Sequence, residues 1–457
     1  MSRSKFDFDL ILRNGVVFST GGLVDADVGV RAGRIARLGS VTGNARQTID
    51  CTGLTVLPGM IDSQVHFREP GPVHKEDLES GSRAAALGGI TAFFDMPNTN
   101  PLTIDEPAFN GKLNRAKGRC WTDFAFYLGG SAANAERLAE LEAMKGCCGI
   151  KIFMGASTGD LLSPDDDTIR EILRHGNRVV AVHAEDNARL DERQHMVEGG
   201  ADVSMHPEWR DVEVCRRATE RVLRLARETG RRIHVLHITT CEEMTLLAEY
   251  KDIASVEVTP QHLTLAAPDC YAEMGTRAQM NPPIRDAAQR SALWDAVSAG
   301  VVDVIGSDHA PHTLDEKAQH YPKSPSGMPG VQTLVPIMLN HVAEGRLSLA
   351  RLVDLCAYGP ARVFRLAAKG RIALGYDADF TLVDLKRRET ITDAWSASKS
   401  GWTPYDGMQV TGWPVSTIIR GHVVMRDGEV LGAPIGEPVG FQETMTGSNS
   451  GSPSASP

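Results

Sequence analysis

The sequence is short of positive charge: 48 lysines and arginines stand against 58 aspartates and glutamates, a formal net charge of −10. That sign opposes a phosphate backbone or an anionic lipid surface by repulsion, so neither nucleic acid nor a membrane is an expected partner. The sequence also lacks any apolar run approaching the roughly 18 residues needed to cross a bilayer. Even Gly53–Met60 is cut by Pro58 and followed by Asp62. The eight cysteines (Cys51, Cys120, Cys147, Cys148, Cys215, Cys241, Cys270 and Cys356) form no repeated CxxC, and Met1 to Leu10 holds no apolar stretch like that of a secretory signal. A reduced thiol set and a cytoplasmic location are the expectation. What is abundant is material for a core. Of 457 residues 42% are apolar, enough for a large globular protein of about three units by length, or fewer if one is an α/β barrel.

From Phe6 to about Leu57, short apolar runs (Leu10–Leu12, Val16–Phe18, Val28–Val30, Ile35) are separated by Asn14-Gly15, Gly21-Gly22 and Ala32-Gly33. These are strand and hairpin signals. The same texture returns at Ala378–Asp384 and Val415–Val424. Between the two lie eight apolar runs: Leu54–Ile61, Ile90–Phe94, Phe124–Leu128, Ile150–Met154, Val179–Val182, Ile233–Leu236, Ser255–Val258 and Val301–Ile305. They alternate with stretches of helical period such as Asp165–His175, Asp211–Glu228 and Asp286–Ser298. Continuous apolar strands separated by helices imply a parallel sheet covered on its outer face, and eight such units close a barrel. The expected fold is therefore α/β: a (β/α)8 TIM barrel over 59–365, a small β-sandwich domain built from both terminal segments (1–58 and 366–440), and a disordered polar tail at 441–457.

Catalytic groups of such a barrel come from the C-terminal ends of its strands. Those ends carry Asp62-Ser63-Gln64-Val65-His66-Phe67-Arg68, then Lys151, His183, His237, and Ser307-Asp308-His309-Ala310-Pro311-His312. Imidazole and carboxylate are the usual ligands of zinc, and an open position on the metal acidifies a bound water, the nucleophile of a hydrolase. A cationic lysine would be repelled there. Lys151 makes sense only as a neutral amine, or as the carbamate such an amine forms with carbon dioxide, which can bridge two ions. Any one of these residues alone could be structural; five ligand-type residues at five strand ends favour a metal site.

With these residues the chain resembles the cyclic amidohydrolases of the amidohydrolase superfamily, and among them the dihydroorotase family most. The likeness covers nearly everything before the tail, including Lys369-Gly370-Arg371-Ile372, Asp377-Ala378-Asp379 and Thr403-Pro404-Tyr405-Asp406-Gly407. It implies a metal site of His66, bridging Lys151, His183, His237 and Asp308, holding one or two Zn2+ ions, with Asp308 as the catalytic proton shuttle. It further implies substrate contacts from Arg68, Asn98 (in Pro97-Asn98-Thr99-Asn100-Pro101), Asn281, His312, Ser326 and Gly327. Arg68 can hold a carboxylate through two parallel hydrogen bonds and argues against the allantoinase pattern, which has a neutral residue there. One departure stands out. Where the family has His-x-His, this chain has Gln64-Val65-His66, so one metal position loses an imidazole and should bind weakly or not at all.

Three functions follow as expectations. The first is reversible hydrolysis of dihydroorotate to N-carbamoyl-L-aspartate in pyrimidine biosynthesis. The second is the same chemistry on a hydantoin, dihydropyrimidine or other cyclic imide, suggested by Gly149-Ile150-Lys151-Ile152-Phe153-Met154. The third is a non-catalytic partner of aspartate transcarbamoylase, suggested by Gln64. Homo-oligomers are frequent among such enzymes, and the loop from Thr313 to Pro329 is a candidate cover over substrate.

Overall fold

The computed structural model describes residues 6–156 and 161–442. The chain opens with β1 (Phe8–Ser19), β2 (Gly22–Arg31), β3 (Arg34–Gly39), β4 (Ala45–Asp50) and β5 (Thr55–Pro58). Eight largely buried strands follow: β6 (Met60–Val65), β7 (Ile90–Asp95), β8 (Asp123–Gly129), β9 (Cys147–Phe153), β10 (Val180–His183), β11 (Ile233–Val235), β12 (Ala254–Val258) and β13 (Val304–Ile305). The last four are β14 (Phe380–Thr390), β15 (Gln409–Ile419), β16 (His422–Arg426) and β17 (Glu429–Val430).

Strands β6 to β13 pair in parallel in sequence order, as the alternation of apolar runs and helical stretches predicts. The ring is nearly closed. Val65 forms a parallel bridge with His309, and the His66 N–H donates to the His309 carbonyl at 2.7 Å. The helices begin where aspartates can cap them. Asp165, Asp211 and Asp286 each accept from the backbone N–H three residues on, starting the helices Asp166–Arg174, Val212–Thr229 and Ala287–Ser298. The longest of these ends at Gly230, in the left-handed region at φ +69°.

Two of the expected runs are redrawn. Leu54–Ile61 is not one barrel strand, because it divides at Pro58-Gly59. β5 pairs with β1 and β14 in the other sheet, and the barrel starts only at β6. At Gly59, between the two strands, there is no room for a side chain: a Cβ there would lie 2.4 Å from Thr91 Oγ1 and 2.8 Å from Asp379 Cβ. The last run, Val301–Ile305, shortens to β13, Val304–Ile305.

The terminal segments join into one nine-stranded mixed sheet of order β17-β16-β15-β14-β5-β1-β2-β3, with β4 alongside β1. It wraps its own core of Leu10, Leu12, Val28, Val30, Phe380, Leu382 and Ile418. A buried cation fastens this sheet to the barrel floor: Lys369 Nζ lies 2.7 Å from Asp123 at the start of β8 and 2.6 Å from Asp379. From β14 the chain then climbs to the opposite end, where Trp402 Nε1 donates to the His312 carbonyl at 2.8 Å and Ser398 donates to Glu76. Order extends past residue 440. Phe441 is buried, bridges Leu366 and stands 6.3 Å from the Phe94 ring, so the expected tail does not begin at 441. The rest of that tail, 443–457, lies outside the described residues.

Candidate active site

The C-terminal ends of the barrel strands surround a narrow cavity. Gln64, His66, Arg68, Asn98, Lys151, His183, His237, Asn281, Asp308, Ser326 and Gly327 all line it. Among the residues singled out from sequence, His312 alone does not. Three of the lining residues hold left-handed backbone, Arg68 at φ +61°, His237 at +40° and Asp308 at +45°. Side chains rarely adopt this conformation, and it gathers at functional sites.

On one side of the cavity two imidazoles converge. His183 Nδ1 is 3.0 Å from His237 Nε2, and His183 Nε2 is 2.8 Å from Glu185 Oε2. An ionised carboxylate only accepts, so Glu185 fixes the proton on Nε2 and turns the Nδ1 lone pair toward His237. Burial would raise the Glu185 carboxyl, but Arg210, bonded at 3.0 and 2.8 Å, and His183 outweigh it and hold the group far below the usual carboxylate range. Burial keeps both imidazoles neutral, against the pull of Glu185 on His183. The Lys151 amine, 4.3 Å above the Phe153 ring, is pushed down to about 7 by burial, which exceeds the opposing pull of Asp308 and Glu257. Near neutral pH much of it is therefore the free amine, whose lone pair can attack carbon dioxide.

On the other side His66 Nε2 lies 3.2 Å from Asp308 Oδ1, and Gln64 Nε2 donates to the same oxygen at 3.0 Å. The other nitrogen of His66, Nδ1, meets Asn98 Oδ1 at 2.9 Å. Gln64 Oε1 and His237 Nδ1 are buried and have no hydrogen-bond partner among the described residues. Among the described residues no three His, Cys, Asp or Glu side chains form a metal cluster by themselves. The donor set closes only when Lys151 is counted with His183 and His237, and Gln64 with His66 and Asp308. Two neutral imidazoles facing each other beside a desolvated amine suit a divalent cation on the first side. The second side offers one imidazole, one carboxylate and a weaker amide.

The Arg68 guanidinium is buried, and burial pushes it down to about 10 despite the nearby acids. The sequence offers Glu69, Glu76 and Asp77 as counter-ions, yet each is engaged elsewhere. Glu69 holds Arg119 at 2.7 Å, Glu76 meets His309 at 3.2 Å, and Asp77 holds Lys399 at 2.6 Å. Among the described residues Arg68 Nε has no hydrogen-bond partner, and its NH2 group lies 3.3 Å from His312 Nε2. His312 is itself committed: Lys75 Nζ donates to Nδ1 at 3.0 Å, so Nε2 carries the proton and donates to the Ser326 carbonyl at 3.0 Å. With that nitrogen turned to Ser326 it has no lone pair to offer Arg68, and it does not line the cavity.

Several contributors were not legible beforehand. Glu185 reads as a helix start, yet Asp186 does the capping and Glu185 orients His183. His206 reads as structural, yet its Nε2 meets Asn281 Oδ1 at 3.0 Å, and its Nδ1 meets the Tyr321 hydroxyl at 3.1 Å. Burial drives His206 down to about 3, so it stays neutral and turns the Asn281 amide nitrogen away from itself. Only the His-x-Glu spacing at 183–185 could have flagged any of these.

Residues 55–424 match the amidohydrolase family. The dihydroorotase of Pyrococcus abyssi is 36% identical over 428 residues, covering 93% of this chain and 96% of that protein. The allantoinase of Deinococcus radiodurans is 35% identical over 445 residues, with 94% and 98% covered. Among solved structures, the L-hydantoinase of Arthrobacter aurescens superposes with a TM-score of 0.91 at 32% identity, covering 95% of this chain and 100% of that one.

Proposed function

The chain belongs to the amidohydrolase family, and from that premise we propose that it hydrolyses the ring amide of a cyclic substrate, with L-dihydroorotate the ring that fits best. Water adds to the ring carbonyl, the carbon–nitrogen bond breaks, and N-carbamoyl-L-aspartate results; the reverse reaction closes the ring with loss of water. The observation that carries this reading is Arg68. It is a buried guanidinium with no carboxylate partner among the described residues, and it lines the same cavity as the candidate metal ligands. A substrate carboxylate supplies the missing anion through paired charged hydrogen bonds.

Lys151, as a carbamate, would hold a divalent ion, Zn2+ by its donor chemistry, together with His183 and His237; a second ion at Gln64, His66 and Asp308 would be weaker. When bound, the metal polarises the ring carbonyl and acidifies the attacking water. Asp308 takes the water's proton and returns it to the leaving ring nitrogen. Its Oδ1 is held by Gln64 and His66, leaving Oδ2 for that transfer. Asn98 and Asn281, each anchored through its Oδ1 to a histidine, orient the ring.

A second reading, a hydantoinase-like cyclic imide hydrolase, is favoured by the superposition on an L-hydantoinase and by Phe153 in the cavity wall. A panel of dihydroorotate, hydantoins and dihydropyrimidines, assayed with bound metal counted on the same preparation, separates the two. Dihydroorotate should turn over fastest, and Arg68→Met should raise its KM roughly 10 to 100-fold, the worth of charged hydrogen bonds. An unchanged KM removes dihydroorotate as the substrate. Association with aspartate transcarbamoylase or with further copies of the chain rests on the family likeness, and copurification tests it.

A further inference from the structure

Building on the ring-hydrolase reading, we propose that Lys317 is a positioning residue for the substrate. Its ammonium ties the segment carrying Asn281 to the segment carrying Ser326 and Gly327, so that both address one bound ring. Lys317 ends the four-residue helix Leu314–Lys317, which Thr313 caps within the loop over the barrel mouth. Its side chain is only 1% exposed, among the least accessible lysines of the chain. Nζ donates to the carbonyls of Gln279 at 2.9 Å, Pro325 at 2.8 Å and Gly327 at 3.1 Å. An ammonium has three N–H groups, and each finds a carbonyl.

The location of those carbonyls gives the residue its meaning. Gln279 lies two residues before Asn281, while Pro325 and Gly327 flank Ser326; Asn281, Ser326 and Gly327 all line the cavity. The same node is stitched again by Gln279, whose side-chain Nε2 donates to the Ser324 carbonyl at 2.9 Å and to Ser326 Oγ at 3.0 Å. The Gly327 N–H returns to the Gln279 carbonyl at 2.9 Å. There is little slack, because Gly327 stands at φ +140° and a Cβ on it would lie 2.4 Å from the Ala310 carbonyl oxygen. Among the described residues no acid pairs with Lys317, so burial pushes its amine down, and the three carbonyls that accept from Nζ are what favour the protonated form, since a neutral amine has only two N–H groups to offer them. Placing an unpaired ammonium in a core is expensive, and an apolar side chain of equal length would fill the space without that penalty. Only the amine joins the two substrate-side segments at one atom.

The test is Lys317→Met, which keeps the length and removes every N–H. Wild-type turnover on the ring panel comes first, and the ring hydrolysed fastest becomes the probe. A wrong substrate assignment then shows in the wild type and leaves the variant-to-wild-type ratio intact. KM is expected to rise about tenfold or more, with kcat within about threefold and metal content unchanged. A folded variant with unchanged KM overturns the proposal, as does a loss confined to kcat. Should the methionine variant not fold, Lys317→Arg carries the test. A planar guanidinium keeps the charge but cannot converge on three carbonyls from one atom, so KM again rises, and a wild-type KM overturns the proposal.

Discussion

On one side of the barrel mouth His183 leans on Glu185, a carboxylate clamped by Arg210; on the other His66 leans on the neutral amide of Asn98, and Gln64 completes the set. Both arrangements fix a ring. Only the first also makes its imidazole a stronger donor, since an adjacent carboxylate raises ligand basicity whereas an amide merely orients. Metal affinity should therefore differ sharply between sides that share one cavity.

The largest effect is expected from the stronger side. His237→Ala should cut kcat/KM by about 10³-fold or more and lower the metal content measured by elemental analysis; a variant that keeps both would make the two sides equivalent. Next comes Glu185→Gln, which preserves shape and removes charge. Metal affinity, read by competition with a chelator, should weaken by about 10 to 100-fold, and an equal loss in Asn98→Ala would erase the asymmetry. Gln64→His sharpens the contrast from the weak side, raising bound metal from nearer one ion per chain toward two, whereas two tightly held ions in the native protein would refute it. The smallest effect on the site should come from Glu243, a buried acid that accepts from the Thr219 and Thr240 hydroxyls and is pushed up to about 7 by burial, which outweighs those bonds and the pull of Arg285. Because its folded-state pKa is raised, the native state binds the extra proton between pH 4.5 and 7. Wild-type stability should fall as pH rises through that window, by at most about 3 kcal/mol. Glu243→Gln should flatten the fall in urea melts at pH 5 and pH 8, and parallel curves for the two proteins would count against it.

The contrast also shows what sequence can carry. Strand runs and aspartate caps are local, so the barrel and the starts of helices at Asp166, Val212 and Ala287 were legible. Ligand-type residues were legible because each lies within an apolar run or a few residues past its end. The supports were not. Glu185 meets Arg210 across 25 positions, His206 meets Asn281 across 75, and Lys75 meets His312 across 237, contacts that no periodicity records. The division of Leu54–Ile61 at Pro58-Gly59 was hidden for a similar reason, since β5 takes its second partner from β14, far downstream.

That pairing sets a condition on synthesis. Met60 and the Thr381 hydroxyl that accepts its N–H are separated by 321 residues, and β14 seals the edge of β5 at this same seam. At about 5 to 20 residues per second, the ribosome leaves that edge open for some tens of seconds after β5 has emerged. Throughout this interval the nascent chain presents unpaired backbone groups of a buried, apolar strand, the kind of template that invites intermolecular pairing. Escape from aggregation thus rests on the last quarter of the polypeptide arriving to finish what the first sixty residues began.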